Sequence, residues 1–141
     1  MKLLKELVEV RGAASDEGKI KKFIFDYVSD NKASWRTEPQ IIEGKGFQDC
    51  IILVFGEPRT AIYAHMDSIG YSVGYDKELI KIGGPRMIDG MQLVGSDTQG
   101  EILTELMVIE EEDGQSTCQY VFDREIERGT ILTFKPDFRE T

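Results

Sequence analysis

The chain has 141 residues, of which 40% are hydrophobic and 30% charged, and its 26 acidic against 17 basic residues give a formal net charge of −9. This length suits one medium-sized domain or two small ones, and the composition predicts a folded globular protein. The acidic balance disfavours nucleic acid as a partner, and no apolar run approaches the ~20 residues of a membrane span. The expected location is therefore cytoplasmic, with neither nucleic acid nor a membrane as partner.

Two amphipathic helices are predicted at the start of the chain. The first covers residues 2–10, where leucine and valine recur at helical spacing. The second covers residues 16–29, whose apolar residues form a single stripe, and Ser15 is its expected N-cap. Both helices are expected to lie on a sheet.

Three strands are predicted after the helices. The first lies within residues 36–42, and the second, expected to be central, is the apolar end of "FQDCIILVF", residues 47–55. The third is "TAIYAHMD", residues 60–67, which follows the short turn "GEPR". Together with the helices, these strands predict an α/β domain.

The pattern changes after Asp67. Apolar residues alternate with polar or small ones, and turn signals recur without any helical period. This pattern predicts a small β-barrel or sandwich over about residues 72–136. The acidic run "VIEEEDGQ", residues 108–115, is interpreted as a solvated hairpin of this region and not as a pair of catalytic carboxylates. Cys50 and Cys118 have no metal-binding spacing and are expected to be free and buried.

His65 is the only histidine of the chain. On a strand, residues i and i+2 point to the same face, so His65 and Asp67 should project together. A metal-bound imidazole needs an acceptor for its other ring nitrogen, and a carboxylate two residues further along is well placed to provide it. The spacing alone is more often that of a hydrogen-bonded histidine without a metal, so both interpretations stay open at this point.

The stretch "AHMDSIGYSV", residues 64–73, resembles the hallmark of a family of zinc-dependent aminopeptidases. These are the glutamyl aminopeptidase, deblocking aminopeptidase and cellulase M type, in which Ala-His-Met-Asp precedes an acidic residue, Ile-Gly, an aromatic residue and Val. Ser68 departs from the usual glutamate. The similarity extends to "LLKELVEVRGAASDEGKIKKFI", residues 3–24, and to "ERGTILTFKPDF", residues 127–138, which is similar to the close of the family's inserted β-domain.

The resemblance implies an α/β fold, namely a mixed-sheet, phosphorylase/hydrolase-like half-domain with an inserted small β-barrel. Residues 1–71 would be the N-terminal part of the α/β peptidase domain, residues 72–136 the inserted barrel, and residues 137–141 the start of the return to the peptidase domain. The implied activity is that of a hydrolase, a co-catalytic metallo-aminopeptidase that removes N-terminal residues from peptides by metal-activated water. His65 would be a metal ligand, and Asp67 would be the catalytic residue that orients it.

The implied cofactors are two divalent ions, zinc or cobalt, in a complete enzyme that acts on peptides and assembles as a homo-oligomer. The family carries its other ligands after the β-domain, and the sequence stops at Thr141. The chain is therefore expected to be the N-terminal portion of such an enzyme, to bind metal weakly or not at all, and to be inactive alone. The alternative is a non-catalytic assembly or binding module in which His65 is a relic.

Overall fold

The computed structural model describes residues 2–112 and 114–138 of the chain, which is a mixed α/β protein. Two compact units are present, Met1–Asp67 and Ser68–Thr141. Within the described residues, both helices and two strands belong to the first unit, and the remaining six strands belong to the second. Of the segment predicted to return to the first domain, residues 139–141 lie outside the described residues.

The helices of the first unit are α1 (Lys2–Glu9) and α2 (Gly18–Asn31), and both predicted helices are thereby confirmed. Among the described residues, no helix is both long and apolar enough to cross a membrane. The predicted N-cap of α2 is wrong, because Glu17 occupies that position. Ser15 has a φ of 78°, in the left-handed region, whereas an N-cap residue normally has an extended backbone.

The strands of the first unit, β1 (Gln40–Ile42) and β2 (Ile52–Val54), form a small antiparallel sheet. Neither strand contains a fully buried residue, so β2 is not the central strand that was predicted. The ring of Trp35 contacts those of Tyr27 and Phe55, with centroid distances of 6.5 and 5.9 Å. This aromatic contact connects α2 to the end of β2.

The predicted third strand, over residues 60–67, does not form. Ile62 and Tyr63, which were expected to be buried in it, are 93% and 91% exposed. A strand needs a neighbour that pairs with its backbone, and the small sheet of this unit contains only β1 and β2. The apolar run shows that residues 60–67 could be buried in a sheet, but it does not provide the neighbouring strand.

The second unit is a six-stranded antiparallel sheet with the strand order β4-β3-β8-β5-β6-β7. Its strands are β3 (Gly70–Val73), β4 (Leu79–Ile82), β5 (Gln92–Asp97), β6 (Gly100–Glu110), β7 (Ser116–Val121) and β8 (Ile131–Phe134). A bridge between Glu78 and Gln119 joins the two edges, so the sheet is a nearly closed barrel. The predicted β-barrel is confirmed, and the described residues between Ile80 and Tyr120 contain no helix.

The barrel has its own hydrophobic core. The largest fully buried side chains are those of Tyr71, Leu93, Ile102, Leu106 and Leu132. Strands β5 and β8 approach closely at Gly95, where a Cβ atom would lie 2.7 Å from the carbonyl oxygen of Ile131. A glycine at this position is what permits the approach.

Two smaller predictions concern the acidic run and the cysteines. Strands β6 and β7 form a hairpin, in which the Glu111 N–H donates to the Gln115 carbonyl at 2.8 Å. The hairpin interpretation is confirmed, although Asp113 of the predicted turn lies outside the described residues. Both cysteines are free, as predicted, but Cys50 is exposed and only Cys118 is buried. Cys50 precedes β2 in an irregular segment, which explains why the prediction of burial is wrong for it.

Candidate functional site

His65 and Asp67 lie in the irregular segment of residues 60–67, and their polar groups meet at one ring nitrogen. The Nδ1 atom of His65 is 2.9 Å from the carbonyl oxygen of Asp67 and 3.4 Å from its carboxylate Oδ1. The prediction that His65 ends a strand is wrong. The structure nevertheless brings the two residues together. Their proximity was predicted from the two-residue period of a strand, but it occurs here in an irregular segment.

This contact determines which ring nitrogen of His65 is available to a ligand. A carbonyl oxygen only accepts hydrogen bonds, so Nδ1 must be the donor. A neutral imidazole then keeps its lone pair on Nε2. The His65 side chain is 86% exposed and that of Asp67 38%, so the ring is accessible from solvent. An acceptor on one ring nitrogen is the arrangement that orients metal-binding histidines.

The geometry fits His65 as one metal ligand and Asp67 as the hydrogen-bond acceptor that supports it. Within residues 2–112 and 114–138, no group of three or more His, Cys, Asp or Glu side chains is placed to hold a metal ion. His65 offers one nitrogen, and Asp67 faces the other one. Zinc sites usually have three or four protein ligands, so ligands in addition to His65 would be needed.

A second candidate site is a cleft of about 360 Å³ at one end of the barrel. We call it the barrel-end cleft. It is formed by the β3–β4 turn, the β5–β6 turn, the end of β7 and the loop before β8, which all lie at the same end of the antiparallel sheet. The polar and aromatic residues that line it are Tyr75, Asp76, Lys77, Gln99, Tyr120, Glu125, Glu127 and Arg128.

Sequence analysis did not find the barrel-end cleft. Its residues come from four separate stretches with no common spacing, and the sequence pattern of these stretches predicts only strands and turns. No residue pattern in the chain indicates that these stretches meet, because their meeting depends on the strand order. One signal could have drawn attention to this end of the barrel. Asp76 and Lys77, both charged, occupy a two-residue turn in which asparagine and glycine are usual.

The loop that supplies Glu125 and Arg128 to the cleft is anchored by polar contacts. The Arg124 guanidinium donates to both carboxylate oxygens of Asp97, at 2.6 and 2.8 Å, and the Asp97 side chain is only 1% exposed. Hydrogen bonding from Arg124 lowers the pKa of Asp97 to about 2. The Ile126 N–H donates to the hydroxyl of Tyr120 at 2.9 Å. These contacts hold the loop in one conformation beside the cleft.

Comparison with known proteins identifies no family. No protein-family model matches this chain, and no curated protein sequence is significantly similar to it. The interpretation of His65 and Asp67 therefore depends on the sequence motif and on the local geometry.

Proposed function

We propose that this chain is the N-terminal portion of a co-catalytic metallo-aminopeptidase and that His65 supplies one of its metal ligands. The proposal is supported chiefly by the contact of His65 Nδ1 with Asp67, which leaves Nε2 as the nitrogen available to a metal. The motif "AHMDSIGYSV" supplies the family resemblance, and its last four residues form the first strand of a barrel, Gly70–Val73, which stands where the inserted β-domain would begin. The hydrolase-like half-domain is part of this proposal.

In this proposal the residues of the chain have distinct roles. His65 holds zinc or cobalt through Nε2. Asp67 keeps the ring proton on Nδ1 and fixes the orientation of the imidazole, so it acts as a positioning residue. When bound, the metal supplies a water of lowered pKa and polarises the scissile carbonyl of a peptide. The other ligands belong to a part of the cytoplasmic, homo-oligomeric enzyme that follows the barrel.

Cobalt binding tests the role of His65 without requiring activity. Titration of the chain with Co²⁺, followed by visible absorption, is expected to show weak binding that His65→Ala abolishes. Asp67→Asn should lower the affinity, by about 10-fold, because a neutral amide replaces the charged carboxylate beside the ring. Asp49→Asn, at an exposed aspartate of the same unit, is the matched control and should leave the affinity unchanged. Cobalt binding that persists in His65→Ala would contradict the proposed ligand.

Aminopeptidase assays separate this proposal from the alternative of a non-catalytic assembly or binding module. The 141-residue chain is expected to hydrolyse no aminoacyl substrate, whereas the gene product extended beyond Thr141 should do so with added zinc or cobalt. His65→Ala in the extended protein should remove this activity. An extended protein that is inactive with either metal would favour the binding module, and one that is active but indifferent to His65→Ala would overturn the metal role.

A further inference from the structure

The barrel-end cleft contains two cations that stack on aromatic rings. The Arg128 guanidinium carbon is 4.2 Å from the ring centroid of Tyr75, and the Lys77 ammonium is 5.9 Å from that of Tyr120. In the described part of the chain, neither cation forms an ion pair with a carboxylate. A guanidinium that stacks on a ring keeps its N–H groups available at its edge, where a carboxylate can bind in a bidentate manner.

Carboxylates line the same cleft. Those of Asp76 and Glu125 are exposed, and within the described ranges they form no hydrogen bond or ion pair. Glu127 differs from them, because the hydroxyl and the backbone N–H of Thr98 both donate to its carboxylate. The cleft therefore presents two cations and three carboxylates, and none of these cations forms an ion pair with any of these carboxylates in the described part of the chain.

The β3–β4 turn that carries two of these charges has an unfavourable backbone conformation. Asp76 and Lys77 have φ values of 51° and 65°, in the region that normally favours glycine. Strand β7 holds the turn in place, since the Gln119 side-chain amide donates to the Asp76 carbonyl at 3.1 Å and the Tyr120 N–H donates to that of Lys77 at 3.2 Å. Backbone strain of this kind occurs frequently at ligand sites. The loop on the other side of the cleft is held by the contacts of Arg124 and Ile126 described above.

We propose that the barrel-end cleft binds a small zwitterion, namely a free amino acid or a dipeptide. Its carboxylate would bind Arg128 and Lys77, and its ammonium group would bind Asp76 and Glu125. The volume of about 360 Å³ lies at the lower end of the range for small-molecule sites, ~300–1,000 Å³. A simple anion would be repelled by the three carboxylates of the cleft, and a simple cation would leave its two basic groups without a partner, whereas a zwitterion offers a partner to both kinds of group. The inference goes beyond the proposed peptidase function and does not depend on it.

The test uses the ¹⁵N-labelled 141-residue chain and the dipeptide Ala-Ala as the probe. Ala-Ala should shift the amide resonances of residues 74–77, 119–120 and 125–128. It is added at up to ~10 mM, because weak binding of small molecules lies in the millimolar range. N-acetyl-Ala-Ala, which lacks the ammonium group, and Ala-Ala amide, which lacks the carboxylate, should each bind at least ~10-fold more weakly. Absence of shifts in these residues, or equal binding of either blocked dipeptide, would overturn the proposal.

Single substitutions test which charged side chains of the barrel-end cleft bind Ala-Ala. Arg128→Gln should weaken Ala-Ala binding about 10-fold, whereas Arg86→Gln, at an exposed arginine outside the cleft, should not change it. Dispersed amide spectra of both variants establish that the fold is retained. If Arg128→Gln does not fold, Lys77→Gln takes its place, with the same expected loss. Unchanged affinity in the folded cleft variant would contradict the proposal.

Discussion

The ion pair between Asp97 and Arg124 joins a nearly inaccessible carboxylate to a loop that carries functional charges. Asp97 accepts both hydrogen bonds of the bidentate pair and also accepts from the backbone N–H groups of Gln99 and Glu127. All of these bonds favour the ionised carboxylate. The charge of Asp97 is therefore one of the features that anchor the loop beside the barrel-end cleft, together with the hydrogen bonds of Ile126 and Glu127.

Acid should weaken the barrel through Asp97. Hydrogen bonding from Arg124 lowers its pKa from an ordinary 3.8 to about 2 in the folded protein. A depressed carboxyl pKa contributes stability that is fully present above the unfolded value and is lost as the pH falls towards the folded value. The free energy of unfolding should therefore decrease between pH 3.8 and about 2. Urea unfolding followed by circular dichroism at a series of pH values measures this decrease.

Asp97→Asn should be less stable at pH 7 and should lose this part of the acid dependence. Asp123→Asn, at an exposed aspartate of the same loop, is the control and should behave like the unmodified chain. An Asp97→Asn variant whose stability falls as steeply with acid as that of the control would show that other carboxyl groups are responsible.

Single residues also show the limits of prediction from this sequence. His65 and Asp67 were predicted to be close together, and they are, since residues two apart are close in several backbone conformations. The function of either residue could not be predicted from spacing, because a metal site is defined by ligands that are distant in sequence. The ion pair between Arg124 and Asp97 could not be predicted from the sequence, since 26 residues lie between them in the chain.

At the level of elements, the β3–β4 turn is the clearest conflict between residue type and conformation. A two-residue hairpin turn with positive φ at both central positions is the type I′ pattern, for which Asn-Gly is the preferred sequence. The chain has Asp76 and Lys77 there, and the Glu78 N–H donates to the Tyr75 carbonyl at 2.8 Å. The turn is thus well formed with residues that do not favour it.

Replacing Asp76 and Lys77 by Asn and Gly together should stabilise the barrel by about 1 kcal/mol, because glycine adopts positive φ without steric cost. The measurement is the midpoint of urea unfolding, with Lys77→Val as the opposite control, which should be destabilised. If the barrel-end cleft binds zwitterions, the same double substitution should weaken Ala-Ala binding although the protein is more stable. A double variant less stable than the unmodified chain would show that these side chains make a net stabilising contribution.

The elements themselves were predictable where local patterns decide them. Both helices have a clear apolar period, and the barrel has alternating strands with frequent turn signals. Residues 60–67 were not predictable in this way, because their apolar run requires a partner strand that periodicity cannot supply. The strand order of the barrel was equally inaccessible, since it depends on contacts between distant strands.

For the whole molecule, the division into two units predicts that the barrel can fold alone. Ser68–Thr141 contains all six barrel strands and the complete cluster of buried residues from Tyr71 to Leu132. Independent stability of a sheet needs three or more strands with a hydrophobic face, and the barrel meets this requirement. A chain of residues 68–141 should therefore give a dispersed amide spectrum and unfold cooperatively.

The control for this experiment is residues 1–67, which bury only Ala13, Ile20 and Val28 among their described hydrophobic residues and should not unfold cooperatively. The comparison uses thermal unfolding of the two pieces and of the intact chain. Aggregation or a collapsed spectrum for residues 68–141 would show that the barrel requires the first unit.

The position of β8 in the sheet has a consequence for synthesis of the protein. Among the described residues this strand is the last in sequence order, yet it lies between β3 and β5, pairing Ile131 with Ser72 and Phe134 with Leu93. While a ribosome is still producing residues 70–130, the β3–β4 hairpin and the β5–β6–β7 meander lack the strand that lies between β3 and β5, and the bridge between Glu78 and Gln119 is the strand contact that remains to join them. Each of these nascent pieces exposes an unpaired edge, and such edges promote association between chains. The barrel can therefore be completed only after Phe134 has left the ribosomal tunnel.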